Sequence, residues 1–267
     1  MTRLHVLGSG SKGNAFALEH EGRLLILEAG FSLREIDRRL DRAGLDPARV
    51  DGVAVTHEHG DHAVSAIRLA RRHGVPLCAS LGTWRALSKG GDPCDWLPLG
   101  SRGPVTAGPF QIEGCPTSHD AAEPVALGVR LPDGAALGMA TDLGRPTQAV
   151  RWFLRERHCL VLEANHDELM LRTSGYPAVV QDRIAGHGGH LSNDACAQLL
   201  AELHHEQLAT VVLAHLSQRC NSPEAAREAV LQRLDAAGFL GELHLADQDG
   251  GLPPIAVQAP LQGAMFD

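Results

Sequence analysis

Apolar positions along this chain fall into short runs separated by loops rich in glycine, proline and polar residues, a pattern of many short strands and helices. Residues 4–7, 15–19 and 24–28 read as strands, the first leading into the loop Gly8-Ser9-Gly10-Ser11-Lys12-Gly13-Asn14. Ser32 is placed to cap an amphipathic helix that runs through Ala43 and stops at Gly44. Residues 51–55, Asp-Gly-Val-Ala-Val, read as a buried strand. One helix is predicted from about residue 63 to 73, then a short strand at 76–79 and a helix near 81–88. The middle is strand-rich, with 111–117, 125–131 and 135–140 as a meander turned by Pro132-Asp133-Gly134. Thereafter helices alternate with strands. Residues 160–163 and 211–214 are short buried strands, 192–203 is a helix capped by Ser192 or Asn193, and 223–236 is a helix ending before Gly238. No internal repeat, low-complexity tract or long linker interrupts the pattern. The expectation is one domain over residues 1–267, a layered α/β architecture with helices outside.

Composition narrows the function. Net charge is −8 with 15 histidines counted neutral, so no global basic field attracts nucleic acid, although a local basic patch remains open. Two arginine runs could supply one: Arg68, Arg71 and Arg72 with His73, and Arg145, Arg151, Arg155 and Arg157. Aromatic content is 4%, which gives no basis for stacking many bases along a groove. The six cysteines form no C-x-x-C pair, and scattered thiols fit a reducing cytosol. The N-terminus lacks a basic segment followed by an apolar one, and no run approaches a membrane span. A soluble, cytoplasmic protein without membrane contact is expected; homo-oligomerisation is left open.

The chemistry is concentrated in Thr56-His57-Glu58-His59-Gly60-Asp61-His62, which follows the strand at 51–55. Three imidazoles and a carboxylate at this spacing can face two adjacent metal ions, and the donor types suit zinc, manganese or iron. Four more segments place a polar residue just after a strand-like run: Ser118-His119-Asp120, Thr141-Asp142-Leu143, Glu163-Ala164-Asn165-His166 and Ala214-His215-Leu216-Ser217. Strand ends facing one way would bring these side chains to one rim. Between the last two lies Gly186-His187-Gly188-Gly189-His190-Leu191-Ser192-Asn193. Alone, His119 or His215 reads as a hydrogen-bonded histidine; the ordered set reads differently.

That order, H-x-H-x-D-H followed by a distal His, an Asp and a final His-Leu-Ser, resembles the metallo-β-lactamase superfamily. Ser-Gly-Ser-x-Gly-Asn, Ser-His-Asp-Ala, Glu-Ala-Asn-His-Asp and Gly-His-Leu-Ser-Asn together resemble its YycJ/WalJ group, related to the tRNA 3′-processing ribonuclease RNase Z and to cyclic-phosphate phosphodiesterases. The resemblance implies a four-layer αββα sandwich of two mixed sheets with helices outside. It implies two divalent metal ions, the first on His57, His59 and His119, the second on Asp61, His62 and His215, with Asp142 bridging. Glu28 stands where the superfamily usually has aspartate, and is expected to support the site from behind. The β-lactamases proper usually carry cysteine where this chain has Asp142, so antibiotic hydrolysis is disfavoured.

The resemblance further implies hydrolysis by a metal-bridged hydroxide, with a phosphodiester substrate and hence DNA or RNA as partner. Asp61 would hold the attacking water. His190, matching a histidine of the RNase Z group, would protonate the leaving oxygen, with His166 and His187 as further phosphate-contacting or supporting groups. A thioester or lactone hydrolase on the same fold is the alternative. A metal-bound sensor without activity would need missing ligands, and none is missing.

Overall fold

The computed structural model describes residues 1–90, 94–100 and 103–258. The first sheet contains β1 (Thr2–Gly8), β2 (Ala15–His20), β3 (Arg23–Leu27), β4 (Val50–Ala54), β5 (Leu77–Ala79), β6 (Trp96–Pro98) and the late strand β14 (Ile255–Ala256), in the order β14-β1-β2-β3-β4-β5-β6. The second contains β7 (Val105–Ala107), β8 (Phe110–Pro116), β9 (Val125–Arg130), β10 (Ala136–Ala140), β11 (Cys159–Glu163), β12 (Thr210–Ala214) and β13 (Glu242–Leu245), in the order β13-β12-β11-β10-β9-β8-β7. Each sheet is an antiparallel meander continued by parallel strands, β3 to β6 in one and β10 to β13 in the other.

Both faces of both sheets are covered, which is why the strands read as nearly continuous apolar runs. The inner faces meet in one core: Leu4, Phe16, Leu25 and Leu27 pack with Phe110, Leu127, Val129, Leu137 and Val161. On the far side of the first sheet, Leu24, Ile26 and Val53 meet α1 (Leu33–Arg42) and α3 (Ala66–His73) through Ile36, Leu40 and Leu69. On the far side of the second, Leu160, Leu162 and Val211 meet α5 (Gln148–Phe153), α8 (Asn193–Leu203) and α9 (Pro223–Ala236). The αββα sandwich is therefore observed.

The element boundaries follow the sequence pattern with one instructive exception. Ser32 and Ser192 cap α1 and α8 as predicted, and α9 spans the predicted residues. The single helix expected over 63–73 is instead two, α2 (Gly60–Ala63) and α3, broken at Val64-Ser65. In a continuous helix Ser65 N would donate to the Asp61 carbonyl. That carbonyl is already taken by Asn14 N, at 2.8 Å, and Ser65 N turns to the Ala29 carbonyl at 3.0 Å. The break lets the loop before it pack against residues 14 and 28–30. Gly30 makes the approach possible, since a Cβ there would lie 1.7 Å from the Asp61 carbonyl oxygen.

Helix α1 seats the loop at 8–14 through Arg39. This arginine is buried, donates to the carbonyls of Leu7 and Gln248, and lies 4.0 Å over the Phe31 ring. Glu35 pairs with Arg38 at 2.7 Å and Arg39 at 2.6 Å. Arg38, aided by Arg39 and opposed by burial, brings the Glu35 carboxyl from its ordinary 4.5 down to about 2. A depressed folded pKa stabilises the fold above 4.5, and that contribution disappears as pH falls toward 2. In acid unfolding followed by circular dichroism, Glu35→Gln should lose less stability than the parent across this window. Equal losses would show that the pairing contributes nothing.

Candidate metal centre

Six strand ends converge on one rim of the sandwich. Glu28 follows β3, residues 57–62 follow β4, His119 follows β8, Asp142 follows β10, Glu163 ends β11 and His215 follows β12. These are carboxyl ends of strands running the same way within each sheet, the usual place for ligands in α/β folds.

Two groups of donors form there. His57, His59 and His119 each offer a ring nitrogen, all within 4.8 Å of one another. Two of the other nitrogens are occupied: His57 Nδ1 lies 2.8 Å from Thr56 Oγ1, and His119 Nδ1 lies 3.1 Å from the Gly189 carbonyl. That leaves both Nε2 atoms for the shared centre, and His57 Nε2 is buried with no hydrogen-bond partner. Asp61, His62 and His215 form the second group by the same 4.8 Å criterion. His215 Nε2 is again buried without a partner, while its Nδ1 lies 2.9 Å from Glu163 Oε1. His62 Nδ1 faces Glu28 Oε1 at 3.5 Å, and Glu28 also accepts from Thr56 N at 3.3 Å. Asp142 lies between the groups, its Oδ2 3.4 Å from His57 Nε2 and 2.6 Å from His62 Nε2.

This donor set fits divalent cations. Imidazole and carboxylate are the right ligand types, and each group presents three of them. Buried nitrogens without hydrogen bonds are otherwise costly. Carboxylates behind the ligating histidines are a common way of fixing ring orientation. The backbone is strained at the same place. Among the described residues five non-glycines have positive φ, and three of them are Glu28 (66°), Asp142 (53°) and His215 (54°). Such conformations cost about 1–3 kcal/mol each and cluster at functional sites.

The electrostatics agree. Burial disfavours the charged forms throughout, but at Asp142 the surrounding His215 and His62 outweigh it and hold the carboxyl well below the usual range. At His62 burial is outweighed by Asp142 and Glu28, which push the imidazole up to about 10. His57, equally buried but beside other imidazoles, is held well below its ordinary value by burial first and His62 second. The rim is thus a buried negative centre that draws positive charge.

A protein-family model described as a beta-lactamase superfamily domain matches residues 23–216. The chain belongs to this family. It is 34% identical over 253 residues to exodeoxyribonuclease YycJ of Bacillus anthracis, covering 93% of this chain and 96% of that protein. In structure it resembles the metallo-beta-lactamase fold protein YhfI of Bacillus subtilis, with TM-score 0.70, 17% identity and coverage of 94% and 98%. It also resembles the short form of human tRNase Z, with TM-score 0.67, 16% identity and coverage of 97% and 100%. At these identities the two structures speak for the fold. Divalent metal binding is a property of the metallo-β-lactamase fold, and the donor groups above have the chemistry to hold a divalent ion.

The remaining expected residues are placed differently from one another. His190 lies at the rim, with Nδ1 2.8 Å from Glu163 Oε1 and 2.9 Å from Asp142 Oδ1. Burial is outweighed by Glu163 and Asp142, which raise it to about 9. His166 is buried, but it lines a neighbouring cavity of about 650 Å³ together with Arg145, Arg151 and His190 rather than the metal rim. The His187 side chain is exposed and lines neither that cavity nor the one at the rim; its carbonyl accepts from Ser118 Oγ at 2.7 Å. Three members of the arginine runs are held in ion pairs. Arg72 pairs with Asp37, Arg151 with Glu202, and buried Arg157 with Glu113.

Sequence reasoning quoted Glu163 and Asn14 within motifs without giving either a role, and passed over Arg183. Glu163 is fully buried, accepts from Leu143 N and Leu191 N, and stands behind both His190 and His215. Its signal was present as a charge ending an apolar run, like Asp142 and His215. Asn14 donates to the Asp61 carbonyl at 3.2 Å and lies 3.1 Å from His62 Nε2, while accepting from Ser9 Oγ. Ser9 Oγ in turn accepts from His215 N at 2.9 Å, which joins the two sheets across the site. Arg183 sits at the mouth, paired with Asp120 at 2.6 Å.

Replacing Glu163 tests its supporting position. Glu163→Gln keeps the shape and one acceptor but loses the charge that holds two imidazoles. Metal affinity, measured by competition with a chromophoric chelator, should fall about 10- to 100-fold, the usual scale for such partners. Unchanged affinity would mean that Glu163 only ties the 143 and 191 loops together.

Proposed function

We propose that the protein is a dinuclear metal-dependent phosphodiesterase that degrades DNA from an end. The observation that carries this is His190. Glu163 and Asp142 occupy its Nδ1, so Nε2 is the nitrogen left to serve a substrate beside the metal donors. A positioned imidazole outside the ligand set is what a poor leaving group such as a deoxyribose oxygen requires. The exodeoxyribonuclease name of the Bacillus anthracis relative supports DNA as the polymer.

In this reading His57, His59 and His119 would hold one ion, Asp61, His62 and His215 the other, and Asp142 would serve both. When bound, two zinc or manganese ions would activate water and offset charge on the phosphoryl oxygens. Asp61, which lines a cavity of about 310 Å³ at the rim, orients the attacking water. His190 gives its proton to the departing oxygen. Glu163 fixes the ring so that Nε2 carries that proton, and its negative charge favours the imidazolium before transfer. The reading takes residues 1–267 as one catalytic domain working in the cytoplasm. All six cysteines are unpaired, which supports a reducing compartment. Among the described residues no helix is long and apolar enough to cross a membrane.

Chelator-stripped protein should hydrolyse neither bis-p-nitrophenyl phosphate nor single-stranded DNA, and manganese or zinc should restore both activities. Metal-saturated protein that turns over a thioester or a lactone, but no phosphodiester, would replace this reading with an acyl hydrolase.

The two rim histidines separate in a second comparison. His190→Ala should keep both metals and lose about 10²–10⁴ in turnover of DNA. The loss should be smaller on p-nitrophenyl esters, whose leaving group needs little protonation. His215→Ala should lose metal, by elemental analysis, and activity on every substrate. Full DNA turnover by His190→Ala would remove its acid role.

A further inference from the structure

The chain has a single tyrosine, and the fold brings it to the active-site cavity. Tyr176 lies in the short loop between α6 (Glu168–Thr173) and α7 (Ala178–Ala185). It lines the same cavity as Asp61, His190 and His215, on a wall continued by Val180 and Ile184 of α7. It is half-buried, belongs to none of the three apolar cores, and its hydroxyl makes no hydrogen bond among the described residues. Neither filling a core nor anchoring a hydroxyl accounts for the ring.

The ring is nevertheless held firmly. The Arg219 guanidinium lies 4.1 Å from the ring centroid, over one face. Arg219 is fixed in turn, since its Nε and Nη2 donate to the Ser174 carbonyl at 3.0 and 2.9 Å. Gln181 Nε2 donates to the Tyr176 carbonyl at 2.8 Å, and Tyr176 N donates to Ser174 Oγ at 3.2 Å. Arg219 belongs to the loop that carries His215. The aromatic plane is therefore tied to the rim on one side and to α7 on the other.

We propose that Tyr176, braced by Arg219, is the platform on which the terminal nucleobase stacks while the adjacent phosphodiester lies at the histidine–aspartate rim. This rests on the nucleic-acid reading above. Cations held by the donors on the floor of the cavity would attract a phosphate; the aromatic and aliphatic wall suits a flat heterocycle. A cation behind the ring strengthens its stack with a base on the other face. Stacking tolerates every base, so the subsite selects for the presence of a base and not for its identity. One platform accommodates one base, which fits an enzyme that engages a strand end.

The test uses metal-loaded protein and short single-stranded oligonucleotides whose terminal linkage is a non-hydrolysable methylphosphonate. The last nucleotide is either normal or an abasic tetrahydrofuran, at the 5′ end in one set and the 3′ end in another. Binding is read by fluorescence anisotropy. Wild type and Tyr176→Phe should prefer the base-bearing end by about 5- to 150-fold at one polarity, the scale of a single base–aromatic stack. In Tyr176→Ala and Tyr176→Leu that ratio should collapse toward one. A variant damaged in folding lowers binding of both ends together and leaves the ratio intact, as does a merely structural tyrosine; an intact ratio overturns the proposal. So does a wild type with no preference for a base. A wild type that prefers the base yet hydrolyses no phosphodiester keeps the platform and removes the catalytic reading. One that hydrolyses bis-p-nitrophenyl phosphate but binds no oligonucleotide removes the platform and keeps the phosphodiesterase.

Discussion

Three carboxylates buried under a ring of imidazoles constrain everything else in this molecule. Glu28 and Glu163 are fully buried and Asp142 is 2% exposed. Removing a carboxylate from water costs several kcal/mol even after relaxation, and the cost is offset only by partners of good geometry. Here the partners are named: Thr56 N for Glu28, Leu143 N and Leu191 N for Glu163, and His62, His190 and His215 around Asp142. Taking away one partner of such a group typically costs about 3–5 kcal/mol. An apolar rim would be the simpler way to close the sandwich. The charged one is explained by the cations it attracts.

The strained backbone follows from that constraint. Glu28, Asp142 and His215 sit where a strand stops and the chain must turn at once, so that a side chain leaves the sheet pointing at a common centre. A glycine would turn more cheaply but would bring no donor.

Local signals were legible in the sequence and distant ones were not. Residues 57–62 announce themselves because four donors fall within one loop. Asp142 and His215 were readable because each ends an apolar run. Glu163 ends one as well, but the histidines that give it meaning stand 27 and 52 positions further along the chain. The break between α2 and α3 was hidden for the same reason, since it is decided by Asn14, 47 residues before Asp61. α5, α6 and α7 span only 6 to 8 residues, too few for a helical period to stand out. β6, β7, β13 and β14 are 2 to 4 residues long and lie toward sheet edges, where side chains face mixed surroundings. The arginine runs were legible only as runs: Arg145 and Arg151 do line the cavity beside the rim, but which members are paired was hidden. Asp37, Glu202 and Glu113, which pair with Arg72, Arg151 and Arg157, come from other parts of the chain.

The division of donors between the sheets has a consequence for how the molecule comes into being. The first sheet contributes His57, His59, Asp61 and His62; the second contributes His119, Asp142 and His215. A chain emerging from the ribosome N-terminus first would expose four donors long before the other three exist. During that interval the early loop is an open chelate, able to exchange whatever ion the surroundings offer. Only when β12 inserts does His215 arrive, and an ion held there would then be enclosed. The identity of a metal held there would then depend on the ions present at the moment of closure as well as on the affinity of the finished site.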